Sequence, residues 1–142
     1  MNSLYQQRLA TLKRDIVALE NIKKKKRWKA NQKVMIDYIN KLTKSAVFII
    51  NGITVTLRDG DSNKGFIHIL EKHYCEACPG KITTMEILNM YEIFERGIKL
   101  SNVGVTNDEL IVYHKIKNGR EHKLVLKSVA DGNLIVTMYS IG

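Results

Sequence analysis

Along the first 45 residues apolar side chains return every three or four positions, and beyond them they alternate or run together. Tyr5, Leu9, Leu12, Ile16 and Leu19 are spaced by fours and threes. That predicts a helix over residues 3–27 with a seam that another helix can bury. Trp28, Met35, Tyr38, Ile39 and Leu42 form a second stripe and predict a helix over 28–44. No proline or glycine precedes Gly52, so one long helix bent near the lysines at 23–26 and two separate helices fit equally.

At Ser45 the pattern turns to strand. Residues 46–50 and 53–57 are rich in β-branched side chains and flank Asn51-Gly52, the pair that a two-residue hairpin turn favours. Residues 58–65 read as a loop, 65–74 as a short helix, and 75–82 as a loop holding the only proline. Thr83 or Thr84 caps a helix over 85–96 that Gly97 stops. Three strands follow, over 109–117, 120–128 and 133–140, joined by Asn118-Gly119 and Asp131-Gly132. The order predicts an α+β fold. Its antiparallel sheet consists of a hairpin and a C-terminal three-strand meander, with helices packed on one face.

Charge divides the chain near the same point. Residues 1–45 hold 12 Lys and Arg against Asp15, Glu20 and Asp37, whereas 46–142 hold 11 of each sign. The net charge of +9 therefore lies in the first third. The expected organisation is a basic helical extension, 1–45, on a domain at 46–142. Lys23, Lys24, Lys25, Lys26 and Arg27 are consecutive and precede Trp28, a run suited to nucleic-acid phosphates. The plainer reading is a solvated helix surface. Arg96, Lys115, Arg120 and His122 are further cations that could meet phosphate or simply face water. No apolar run reaches the ~18–20 residues of a membrane helix, and the N-terminus lacks a secretory core. A cytoplasmic protein without a membrane partner is expected.

Chemistry concentrates in two segments. His68 and His73 stand five residues apart on the short helix, about 140° around it if it is regular. His68 then shares the polar side with Glu71 and Lys72, and His73 leans towards the apolar face. His68 is the better placed base, and His73 would hydrogen-bond the helix end or orient a loop. In the last strand Thr137 and Tyr139 share one face. Two-residue turns would set Thr137 opposite Leu126 and Tyr139 opposite Leu124, with Lys123 and Lys127 on the other face. One bulge would exchange the faces. Cys75 and Cys78 fit free thiols best, with a disulfide, or half a zinc site completed by His73 and His68, as alternatives.

Three motifs in order carry a resemblance. They are a hairpin before His68-Ile69-Leu70-Glu71-Lys72-His73, a helix ending Glu95-Arg96-Gly97, and a final strand holding Val136-Thr137-Met138-Tyr139. Residues 46–142 resemble the barnase–EndoU–colicin–RelE-like nuclease superfamily, chiefly its phage-encoded and polymorphic-toxin branches. The resemblance implies an endoribonuclease that needs no metal or other cofactor. It cleaves RNA, tRNA included, by attack of the ribose 2′-hydroxyl to leave a cyclic phosphate. His68 or His73 would serve as base or acid, Thr137 and Tyr139 would hold phosphate, and Lys123 or Lys127 would neutralise charge. Lys23–Lys26, Arg27, Trp28 and Arg96 would bind the nucleic acid. A cognate immunity or antitoxin protein is the implied partner. A non-catalytic nucleic-acid binder and a helix-mediated interaction protein are the competing classes.

Overall fold

Both N-terminal stripes form helices, and both lie in the buried cluster that backs the sheet. Leu9, Leu12 and Ile16 of α1 (Leu4–Ile22) and Met35, Ile36, Tyr38 and Ile39 of α2 (Ala30–Ile39) are buried with Phe48, Leu57, Phe66, Leu124 and Met138. The computed structural model describes residues 3–22, 28–75, 78, 80–100, 110–117, 119–130 and 132–141. The cations from Lys23 to Arg27 lie outside the described residues, as does any bend there. The second helix is shorter than its pattern suggested. Lys41 adopts a left-handed φ of 65°, and Leu42 beyond the helix is exposed rather than on the buried stripe.

The remaining elements are β1 (Ala46–Ile50), β2 (Ile53–Leu57), α3 (Gly65–Lys72), α4 (Thr84–Leu88), α5 (Tyr91–Arg96), β3 (Ile98–Leu100), β4 (Leu110–Lys117), β5 (Arg120–Val129) and β6 (Gly132–Ile141). Asn51 and Gly52 take φ of 52° and 80°, the left-handed pair that their hairpin requires. Thr83 caps α4 as expected, with its hydroxyl accepting from the Glu86 N–H and Glu86 returning to the Thr83 N–H at 2.8 Å. The single helix expected over 85–96 is instead two. Asn89 ends α4, and its side-chain oxygen accepts from Gln32 of α2 at 2.7 Å.

The six strands form one mixed sheet in the order β1-β2-β6-β5-β4-β3. The sheet is not wholly antiparallel. β6 runs parallel to β2, with Val55 opposite Asn133 and Thr56 opposite Leu134. Hydrophobic period tells which face a residue takes but not which strand lies beside it, so this neighbour pair was invisible in the pattern. Gly132 makes the approach feasible, because a Cβ there would collide with the Thr54 carbonyl. The three-residue β3 was also unforeseen. It pairs with β4 at the sheet edge.

β5 and β6 change register between Val125 and Leu126. Val125 faces Thr137 while Leu126 faces Ile135, so Val136 is the extra residue of a bulge. The bulge exchanges faces relative to the unbulged expectation. His122, Leu124 and Leu126 point to the helices and are buried. Lys123 now shares the other face with Tyr139, and Val125 shares it with Thr137.

Candidate active site

The short helix α3 is held at both ends. At its start the Phe66 and Ile67 N–H groups donate to the Arg58 and Asp59 carbonyls, each at 2.9 Å. Gly65 has φ of 84°, and a Cβ there would lie 2.9 and 3.0 Å from those carbonyl oxygens, so a side chain would be both strained and blocked. Asp61 Oδ1 accepts from the Asn63 and Lys64 N–H groups at 2.8 and 3.2 Å, a local turn that sets Ser62. The Ser62 carbonyl then accepts from His68 Nδ1 at 2.9 Å. A carbonyl cannot donate, so Nδ1 carries the hydrogen and the Nε2 of neutral His68 keeps its lone pair.

The far end of α3 brings the histidines together. His73 leaves helical geometry with φ of −122°, and both its N–H and that of Tyr74 donate to the Ile69 carbonyl, at 2.9 and 3.1 Å. The separation of about 140° holds only for a regular helix, and the helix stops at Lys72. The two imidazole centroids are 5.0 Å apart, edge to face. His73 in turn lies 5.6 Å from the Tyr139 ring. Arg8 of α1 fixes this end by donating to the Leu70 and Tyr74 carbonyls. Burial, then the nearby His68, Lys81 and Lys72, pushes the His73 imidazole down to about 4, so it is neutral at neutral pH.

From Tyr139 the site continues across the sheet. Tyr139 is opposite Lys123, and Lys123 is opposite His114 on β4. Directly opposed residues share a face, so His68, His73, Tyr139, Lys123 and His114 form a row from α3 over three strands. His114 Nδ1 is 2.6 Å from Glu121 Oε2 on the same face. Neither His114 nor Glu121 was singled out in the sequence. The Asn118-Gly119 turn was the available signal, since a two-residue turn there already sets His114 against Lys123.

The other expected residues are placed less directly. Thr137 shares the face, but its hydroxyl oxygen is buried and has no hydrogen-bond partner among the described residues. Lys127 is opposite Leu134, about 13 Å along β5 from Lys123 at ~3.3 Å per residue. Trp28 packs against the core, and its indole N–H donates to Glu20 at 3.0 Å. That N–H is therefore engaged within the protein rather than turned to nucleic acid. Arg96 is exposed, with Nε 3.4 Å from Glu95 Oε1. Cys75 and Cys78 are joined in a disulfide, not left as thiols. Among the described residues no group of three or more His, Cys, Asp and Glu is arranged to hold a metal ion.

A second polar cluster occupies the helix side of the sheet. Glu86 accepts from His122 Nε2 and from Arg120 Nη1, the latter at 3.2 Å. Arg120 Nη2 donates to the Ser140 hydroxyl at 2.6 Å and also to the Lys81 carbonyl. Burial alone would raise the Glu86 carboxyl, but the His122 hydrogen bond, the Thr83 N–H and the Arg120 charge hold it down at about 2. The cluster borders a cavity of about 250 Å³ lined in part by Asn89, Lys115 and Met138.

No protein-family model and no curated protein matches the chain. Among the described residues no helix is long and apolar enough to cross a membrane.

Proposed function

We propose that the protein is a metal-independent endoribonuclease of the barnase–EndoU–colicin–RelE-like kind. The observation that carries this reading is the row of His68, His73, Tyr139 and Lys123, which runs from α3 onto the face of the sheet turned away from His122, Leu124 and Leu126. RNA cleavage by its own 2′-hydroxyl needs a proton acceptor, a proton donor and a positive charge near the phosphate. His68 Nε2 takes the 2′ proton as the 2′-oxygen bonds to phosphorus. Lys123 and the Tyr139 phenol stabilise the charge that builds on the phosphate oxygens. The bond from phosphorus to the 5′-oxygen breaks, leaving a 2′,3′-cyclic phosphate and a 5′-hydroxyl.

The test is cleavage of single-stranded RNA and of bulk tRNA in EDTA, with His68→Ala beside the parent. The expected result is cleavage by the parent with cyclic phosphate ends, and loss of about 10²–10⁴-fold in the variant. Activity that disappears in EDTA and returns with magnesium, or an inactive parent, overturns the reading.

A further inference from the structure

We infer that the cavity on the helix side of the sheet binds a free α-amino acid with an apolar side chain, at a site separate from the row on the other face. The cavity holds about 250 Å³. That is just under the ~300–1,000 Å³ of sites for larger ligands, so it suits a molecule of amino-acid size rather than a nucleotide. Met85, Ile93 and Met138 give it an apolar wall. Its polar groups divide into those already paired and those left over. Glu86 is shared by His122, Arg120 and the Thr83 N–H, and Arg120 Nη2 also serves Ser140 and the Lys81 carbonyl. The ammonium of Lys115 and the carboxylate of Glu92 line the same cavity, half-buried. Neither has a hydrogen-bond or ion-pair partner among the described residues.

Asn89 supplies a third group, and its neighbours fix which way its amide is turned. The Lys29 N–H can only donate, so the Gln32 side-chain oxygen accepts it at 2.9 Å, and the Gln32 amide nitrogen is the donor to Asn89 at 2.7 Å. Asn89 therefore meets Gln32 with its oxygen. Its NH₂ group keeps both hydrogens and has no partner among the described residues. The cavity thus presents an unpaired cation, an unpaired amide donor, an unpaired carboxylate and an apolar wall. An α-amino acid answers all four. Its carboxylate meets Lys115 and the Asn89 NH₂, its ammonium meets Glu92, and its side chain lies against Met85, Ile93 and Met138. A phosphate ester fits less well. Arg120 and His122 already serve Glu86, and Glu86 and Glu92 repel a second negative charge.

The experiment is calorimetric titration of the full chain with leucine, methionine and phenylalanine, each up to about 10 mM. Each is matched by the compound that lacks its ammonium and the compound that lacks its carboxylate. For leucine these are isocaproate and isoamylamine. The expected result is that at least one of the three amino acids binds with a Kd below about 1 mM, and that both of its matched compounds bind at least about 10-fold more weakly. Lys115→Met and Glu92→Gln each weaken that amino acid at least about 10-fold. Absence of binding by all three amino acids overturns the inference. So does a matched compound that binds as tightly as the amino acid, or an affinity unchanged in either variant. Urea unfolding shows whether each variant is folded. Where a variant fails to fold, the amino acid against its two matched compounds on the parent protein decides. No step reads RNA cleavage, so the outcome stands apart from the ribonuclease reading.

Discussion

Neighbouring residues of β5 face opposite ways and meet opposite surroundings. Arg120 and His122 point to the helices, where Glu86, Ser140 and the Lys81 carbonyl engage them. Lys123 points to the opposite face, beside Tyr139, and its ammonium has no hydrogen-bond or ion-pair partner among the described residues. The same residue types are thus used twice, one strand position apart. A cation tied to several acceptors of the protein helps hold the fold together, and a cation whose ammonium no neighbour engages can serve a ligand. Only the cavity beside the first cluster complicates the division, and Glu86 at its wall is already committed to His122, Arg120 and Thr83.

Substitution in the row from His68 to Lys123 should change activity and leave stability almost alone. His68→Ala removes one ring and one hydrogen bond to the Ser62 carbonyl at a partly exposed site. Cleavage should fall about 10²–10⁴-fold, while the urea midpoint shifts by less than about 1 kcal/mol equivalent. A large loss of stability with proportionate loss of activity would make His68 a structural residue.

The opposite result is expected on the helix side. Glu86→Gln leaves the guanidinium of Arg120 and the buried His122 without their carboxylate, and weakens the cap of α4. Breaking a largely buried pair from one side costs about 3 kcal/mol. Urea unfolding should show this, with the activity of the molecules that remain folded unchanged. A stable variant that has lost cleavage would move the reacting site to the helix side of the sheet.

The seam of α1 provides a third contrast. Leu12 is fully buried in the cluster shared with the sheet, so Leu12→Ala should cost about 2–5 kcal/mol for the whole molecule. Val17 on the same helix is exposed, and Val17→Ala should change the midpoint by less than about 0.5 kcal/mol. If Leu12→Ala melts α1 alone and leaves the sheet's unfolding unaltered, residues 1–45 behave as the expected extension.

What the sequence disclosed follows from the range of the interactions. Asn51-Gly52 and the Thr83–Glu86 cap are set by neighbours within three residues, and both were legible. His68, His73 and Tyr139 were legible as chemistry, but their meeting depends on where α3 stops and on β6 lying beside it. The bulge at Val136 decided whether Lys123 joins Tyr139, and nothing local announces an extra residue between Leu134 and Met138. The Glu86 cluster draws Arg120 and His122 from 34 and 36 positions away, a distance that no periodicity spans.

The smallest expected effect separates the two faces by pH. An unfolded histidine titrates near 6.5 and His73 in the folded protein near 4. The unfolded chain therefore takes the proton first, and stability due to neutral His73 is complete above about 6.5 and declines as pH falls towards 4. Glu86 moves from about 4.5 unfolded to about 2 folded, so its contribution is complete above 4.5 and is lost as pH falls from there towards 2. The slope for one proton is at most about 1.4 kcal/mol per pH unit, and water reaching the half-buried His73 reduces it. His73→Asn should flatten the unfolding free energy between pH 6.5 and 4.5, where the Glu86 contribution is constant. Glu86→Gln should leave that upper window sloped and flatten the acid one below 4. Urea titrations at a series of pH values would show it. If His73→Asn leaves the upper window sloped, the ring is not held neutral in the folded protein. It could then donate a proton itself in the proposed cleavage.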